Sequence, residues 1–315
     1  MNEKILIFGN GQIGNFYNDY FKVIGWDVLI SGADITKKDE IQDSITEFKP
    51  TVVINTAAMT NLEWCNNNKL ESFNVNTLGA DNVALECDKQ GIYFIHLSSG
   101  CIFQSTNEND AKVETDAPNP AAFYSFTKVW SEELIKFNKS SNFKYLILRP
   151  RQPISSKFHN KNMLVKMLTF TKFVDTPNTL TVVEDLLDWT KILITHRKTG
   201  ILHVANEGFT TPYKIALMLK KYILKELPIE LISKTDLDKM LPNKRVDTVL
   251  NVDKLESIDG IVVKTCDQRL EEIIEMLGQN IKNMPREELK EILETTVSES
   301  RQRTIVNEVW KNLLI

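Results

Sequence analysis

The chain has 315 residues, 42% of them hydrophobic and 25% charged, with a formal net charge of −4. That length accommodates one large α/β domain and a smaller lobe, and scattered basic residues give no footprint for nucleic acid or an anionic membrane. No apolar run reaches the ~18 residues of a spanning helix. Cys65, Cys87, Cys101 and Cys266 lie far apart without a CxxC pair, which argues against a disulfide framework or a metal site. Met1 runs almost directly into an apolar stretch, leaving no room for a signal peptide. A cytoplasmic protein with reduced thiols is expected.

The first half alternates strands and helices. Lys4–Phe8 is a short apolar run, and Gln12–Ile24 has helical spacing. Asp27–Ile30 reads as a strand, Lys37–Phe48 as a helix, Thr51–Ile54 as a strand and Leu70–Lys89 as one long helix. Tyr93–Leu97, a helix over Ala121–Phe137 and the strand Tyr145–Leu148 complete the series. Strands separated by helices of this length predict a doubly wound, mostly parallel Rossmann-type sheet. From Pro150 onward prolines interrupt the pattern, as in a smaller α/β lobe built on excursions from a sheet. The expected division is a dinucleotide-binding domain over 1–150, rejoined by segments near 178–205. A substrate-binding lobe over 151–275 and a charged helical extension over 276–315 follow, with Pro285 opening a helix at Arg286.

Gly9-Asn-Gly11-Gln12-Ile13-Gly14 is a GxGxxG motif. The pattern alone is weak, but here it ends a strand and opens a helix, the context that dinucleotide binding needs. Gly9 permits the tight turn, Gly11 lets a pyrophosphate approach the backbone, and Gly14 allows close helix–sheet packing. The helix N-terminus offers free N–H groups to the phosphates. After the second strand stand Ser31-Gly32-Ala33, with Lys37 and Lys38 beyond, where an NAD-specific site would carry an acid. NADP(H) is therefore favoured over NAD(H). Asp34 and Ile35 are placed to approach the adenine, although a helix-cap role is open for the same stretch.

Tyr124 is the only tyrosine with a lysine four residues on, so Lys128 shares its helix face. A tyrosine near pKa 10 is a sluggish acid; an adjacent ammonium and the positive charge of the nicotinamide are expected to lower that value. Ser99 ends the fourth strand, at the sheet edge where such folds bind ligands, and can bond a substrate carbonyl beside Tyr124. Asn76 is either a buried structural bridge or a support for Lys128.

Together these residues resemble the extended short-chain dehydrogenases/reductases, and within them the dTDP-4-dehydrorhamnose reductase-like branch. The likeness spans roughly residues 3–275 and includes Val53-Ile54-Asn55-Thr56-Ala57-Ala58 and the stretch Arg245–Leu255. It implies a reductase with Tyr124, Lys128 and Ser99 catalytic and Ala57, Tyr124 and Lys128 touching the cofactor. Plain reductases of this branch carry Asp-Tyr after the strand-end Ser/Thr, whereas this chain has Gly100-Cys101. Gly100-Cys101-Ile102-Phe103, Leu62-Glu63-Trp64-Cys65, Arg149–Ser156 and Val174–Asn178 look like the plant-type UDP-4-keto-6-deoxyglucose 3,5-epimerase/4-reductases. That resemblance implies epimerisation by Cys101 and Lys166 and substrate binding by Arg151, Pro153, Asn178 and Arg245. It also implies a UDP-linked sugar substrate and a homodimer formed through the Tyr124 helix. A reductase without epimerase activity and a non-catalytic NADP-binding regulatory subunit are the alternatives. The stretch between Phe103 and Tyr124 is shorter than in the plant-type enzymes, and the tail after about residue 275 has no counterpart in them.

Overall fold

The computed structural model describes residues 3–137, 139–241, 243 and 245–298; the expected helical tail beyond Ser298 lies outside them. Six strands form one parallel sheet: β1 (Lys4–Phe8), β2 (Asp27–Ser31), β3 (Val52–Asn55), β4 (Tyr93–Leu97), β5 (Tyr145–Arg149) and, from later in the chain, Gly200–His203. The order is β2-β1-β3-β4-β5 with Gly200–His203 at the far edge. β1 is thus flanked by β2 on one side and β3 on the other, the reversal of winding at which such sheets open a ligand crevice. Fully buried apolar strands are what a sheet covered on both faces requires.

Side chains alternate across the sheet with period two. Ile5, Ile7, Val52, Ile54, Ile95 and Leu148 meet Phe16, Tyr17 and Phe21 of α1 (Gln12–Val23) on one face. Leu6, Phe8, Val53, Phe94 and Ile147 meet Ile41 and Ile45 of α2 (Lys38–Phe48) on the other. α3 (Leu62–Asn67) follows β3.

The expected single helix over Leu70–Lys89 is not regular. It comprises α4 (Lys69–Phe73), a π-helical stretch at Asn74–Gly79 and α5 (Ala80–Gln90). Asn76 lies in the π segment, donating to Met59 O and Thr127 Oγ1 and accepting from Met59 N at 2.7 Å. A π-bulge reorients one turn without ending the helix, and such bulges gather at functional sites. α6 (Phe123–Phe137) carries Tyr124 and Lys128 and starts two residues later than the sequence pattern suggests.

The smaller lobe holds two short parallel pairings. β6 (Pro153–Ile154) pairs with β8 (Thr181–Val182), and β7 (Lys172–Phe173) with β10 (Glu230–Leu231); Gly200–His203 is β9. Its core joins α7 (Met163–Met167), α9 (Pro212–Tyr222), α12 (Cys266–Asn283) and α13 (Arg286–Ser298) through Leu164, Ile215, Leu270, Ile274, Leu289 and Leu293. α8 (Val183–Thr195) covers the large sheet; α10 (Lys234–Met240) and α11 (Asp253–Glu256) are short. α12 starts in a capping box between Thr265 and Gln268 and continues unbroken past residue 275. The lobe and its following helices therefore share one core rather than parting there.

Candidate active site

The glycine loop has the geometry that its sequence suggests. Gly9 has φ +105°, and a Cβ there would lie 2.5 Å from Ala57 N. A Cβ on Gly14 would come within 2.1 Å of Gly9 O, whereas one on Gly11 would meet nothing within 4 Å. Gly11 precedes α1 with no side-chain cap, so the helix presents bare N–H groups to the cleft. The cleft has a volume of about 1190 Å³ and is bordered by Gly9, Gly11, Ser31, Asp34, Ile35 and Ala57. Gln12, Ile13 and Gly14 form the first turn of α1 beside it. An open glycine and an uncapped helix start fit a bound pyrophosphate.

Asp34 caps no helix; it accepts from Thr36 N and Thr36 Oγ1, and these bonds hold its carboxyl below the usual range. Ser31 Oγ is tied to Ser44 Oγ at 2.9 Å. Lys37 pairs with Glu40 at 2.8 Å, which leaves Lys38 as the lysine on the cleft wall. The sequence did not separate these two lysines. Tyr124 and Lys128 do not border this cleft.

They belong to a second cluster, at the carboxyl end of β4. Ser99 caps the 3-10 turn Gly100–Ile102 by accepting from Cys101 N. Its hydroxyl lies 2.9 Å from Cys101 Sγ, and Ser125 Oγ donates to the same sulfur at 3.3 Å. Tyr124 stands beside Ser99 and Cys101. The expected lowering of the Tyr124 pKa is not found. Burial, then the charge of Cys101, push it up, against the Ser99 hydroxyl, which lowers it. The reason is desolvation: the cluster is dry enough that even Lys128, 1% exposed, is brought down to about 8 by burial. A neutral phenol is nonetheless the form that donates a proton.

Below the cluster, β5 turns a cation inward. Arg149 Nε donates to Glu132 Oε1 at 3.0 Å and its NH2 reaches Oε2 at 2.5 Å, with Ser98 Oγ also donating to the carboxylate. Arg149 NH1 reaches His203 Nε2 at 3.4 Å. Arg151, two residues on, is clamped by Asn178 Oδ1 at 2.5 Å and Val246 O at 2.6 Å, while its buried Nε has no partner. Asn178 in turn donates to Asp247 Oδ1 at 3.1 Å. Directly after Arg151, Gln152 adopts φ +41°, an uncommon conformation outside glycine. The charges of Cys101 and Arg245 both act on Arg151, which puts the thiol, Arg151 and Arg245 in one neighbourhood. Pro153 is exposed at the start of β6. Lys166 is half-buried on α7, and among the described residues its ammonium forms no hydrogen bond or ion pair. Ser125, Asp247 and His96 escaped the sequence reading, because a serine inside a helix, an acid in a loop and a histidine in an apolar strand carry no spacing signal.

Among the described residues no helix is long and apolar enough to cross a membrane. Residues 3–278 match the family described as RmlD substrate binding domain. A bifunctional dTDP-4-dehydrorhamnose 3,5-epimerase/dTDP-4-dehydrorhamnose reductase of Arabidopsis thaliana is 31% identical over 232 residues, 70% of this chain and 75% of that protein. A trifunctional UDP-glucose 4,6-dehydratase/UDP-4-keto-6-deoxy-D-glucose 3,5-epimerase/UDP-4-keto-L-rhamnose-reductase of the same plant is 28% identical over 264 residues. That match takes in 80% of this chain but 39% of the larger protein. Among solved structures, the L780 UDP-rhamnose synthase of Acanthamoeba polyphaga mimivirus superposes with a TM-score of 0.80 at 24% identity, covering 88% of this chain and 100% of that one. A match that runs from β1 through both lobes into α12 settles kinship: the chain belongs to the RmlD substrate binding domain family, among the dTDP-4-dehydrorhamnose reductase-like oxidoreductases.

Proposed function

We propose that the protein is a bifunctional 3,5-epimerase/4-reductase. It converts a nucleotide-linked 4-keto-6-deoxyhexose, UDP-4-keto-6-deoxy-D-glucose, into UDP-L-rhamnose with NADPH. The observation that carries the reading is the thiol of Cys101, bonded to Ser99 and Ser125 beside Tyr124, where a plain reductase needs no proton-exchanging group. A ketone at C4 acidifies the hydrogens on C3 and C5. Cys101 and Lys166 exchange those protons, and Tyr124 and Ser99 donate to the oxygen of the enolate formed between removal and return. The dinucleotide, when bound over Gly9–Gly14, supplies the hydride for C4. Tyr124 then gives its proton to the C4 oxygen, and Lys128 sits one turn behind it. Arg151, with an unpartnered Nε, is assigned to the substrate together with Pro153, Asn178 and Arg245.

Lys38 on the cleft wall and the lack of an acid in Ser31-Gly32-Ala33, directly at the end of β2, support NADP(H) over NAD(H). The UDP assignment rests on the likeness to the plant trifunctional enzyme and the viral UDP-rhamnose synthase. The half-exposed aromatic face of α6, Phe126 and Trp130, is assigned to a homodimer, and the compartment to the cytoplasm.

Reaction of the 4-keto-6-deoxy sugar nucleotide with NADPH in deuterated water tests the proposal. Deuterium at C3 and C5 of the product is expected. NADPH oxidation without deuterium would leave a reductase-only enzyme. No oxidation with any 4-keto sugar nucleotide, but tight binding of a partner enzyme, would make the chain a regulatory subunit.

A further inference from the structure

Lys128 points into the sheet, and the group it meets there is a histidine that the reaction above does not use. His96, on β4, is fully buried. Its Nε2 lies 3.3 Å from Lys128 Nζ and 3.2 Å from Ser131 Oγ, and its Nδ1 lies 3.4 Å from Asn55 Nδ2. A neutral imidazole carries one hydrogen, so its partners decide which nitrogen donates.

Two outer bonds fix the answer. Ala57 N–H donates to Asn55 Oδ1 at 3.1 Å, so the Asn55 amide turns its NH2 toward His96 and Nδ1 must accept. At the other end Ser131 spends its one hydroxyl hydrogen on Lys128 O at 2.8 Å, so Ser131 Oγ is free to accept. The ring hydrogen therefore sits on Nε2. The other tautomer would set Nδ1–H against the Asn55 N–H, and so would the doubly protonated ring, leaving buried donors unpaired.

We infer that His96 is a positioning residue: locked as its Nε2–H tautomer by Asn55, it shares its one N–H between Ser131 Oγ and Lys128 Nζ and so favours the neutral amine there over the ammonium. Among the described residues, the charged and titratable groups facing Lys128 are His96 from β4, Glu132 one turn further along α6 and Cys101 from the turn after β4, with Tyr124 one turn back on α6. Burial lowers the Lys128 ammonium to about 8, while Glu132 and Cys101 act in the opposite direction. Burial, and then the charge of Lys128, keep His96 neutral, well below its ordinary value. A lysine that exchanges its proton near neutrality can resupply Tyr124 after each turnover. That use rests on the reductase reading; the tautomer and the state of Lys128 do not.

The test is NMR of the cofactor-free protein. In ¹⁵N-histidine-labelled protein, with His96→Gln for assignment, long-range ¹H–¹⁵N spectra at neutral pH are expected to show His96 protonated at Nε2 alone. A proton on Nδ1, alone or with Nε2, overturns the inference. In ¹³Cε-lysine-labelled protein, assigned with Lys128→Arg, the Lys128 titration is expected to move up by about one pH unit, a tenfold change in proton affinity, in His96→Leu. It should stay near the wild-type midpoint in His96→Gln, which keeps an N–H donor. An unmoved midpoint in His96→Leu, or equal movement in both variants, also overturns it. If His96→Leu does not fold, the wild-type tautomer decides alone. Neither readout uses substrate, so failure of the proposed reaction would leave this result standing.

Discussion

Replacing Gly11 and Gly14 by alanine separates two jobs of one loop. At Gly14 the new Cβ lies 2.1 Å from Gly9 O and 2.9 Å from Thr56 Oγ1, so α1 and β1 must part by about 1.3 Å to reach the 3.4 Å of ordinary contact. Forcing a methyl into such a contact costs roughly 1–3 kcal/mol. At about 2.1 cal/mol/K of unfolding entropy per residue, each kcal/mol lowers the Tm of a chain this long by roughly 1.5 °C, so Gly14→Ala is expected to melt about 1.5–4.5 °C early. At Gly11 the same methyl meets nothing within 4 Å. Its cost, mainly a poorer helix start, is expected to stay below about 1 kcal/mol. It projects where a pyrophosphate approaches, however, so NADPH affinity should fall at least tenfold, a loss of about 1.4 kcal/mol. Differential scanning fluorimetry and isothermal titration calorimetry with NADPH read both quantities. Wild-type affinity in Gly11→Ala, or a wild-type Tm in Gly14→Ala, would refute the assignment of jobs.

Tyr124→Phe should bind NADPH normally yet lose roughly 10²–10⁴-fold in kcat, as expected when a proton donor is removed; a small loss in stopped-flow NADPH oxidation would exclude it as the acid. Cys101→Ala should abolish deuterium exchange at C3 and C5 while leaving the fold intact, and full exchange would remove the thiol from the reaction. Arg149→Met strands the Glu132 carboxylate inside the protein, because the guanidinium that bonds both its oxygens is lost. Urea denaturation should show a loss of about 3–5 kcal/mol, largely recovered when Glu132 is also made apolar. Burial is the main cause that lowers His203 from 6.5 to about 4. The unfolded chain therefore binds more protons between those values, and stability falls as pH drops from 6.5 toward 4, by roughly 3 kcal/mol from this group. Urea midpoints at pH 7.5 and pH 5 should differ less in His203→Gln than in the wild type; an equal difference would clear His203 of the effect.

The sequence by itself determined the doubly wound sheet, because local patterns carry it: Lys4–Phe8 is an apolar run, Gly9–Gly14 closes a turn, and Gln12–Ile24 has helical spacing. It also named Tyr124 and Lys128, since a spacing of four on one helix is a local property. What the tertiary structure decided is every relation between residues distant in sequence. Cys101 meets Ser125, Arg151 is clamped by Asn178, and Lys128 is set against His96, whose other nitrogen faces Asn55. The π segment that interrupts the expected Leu70–Lys89 helix is decided there too, by the bonds that Asn76 makes to Met59 and Thr127. The direction of the Tyr124 pKa shift belongs with them. A nearby lysine predicts a fall from spacing alone, but desolvation depends on what the whole fold packs around the hydroxyl, and it raises the value instead.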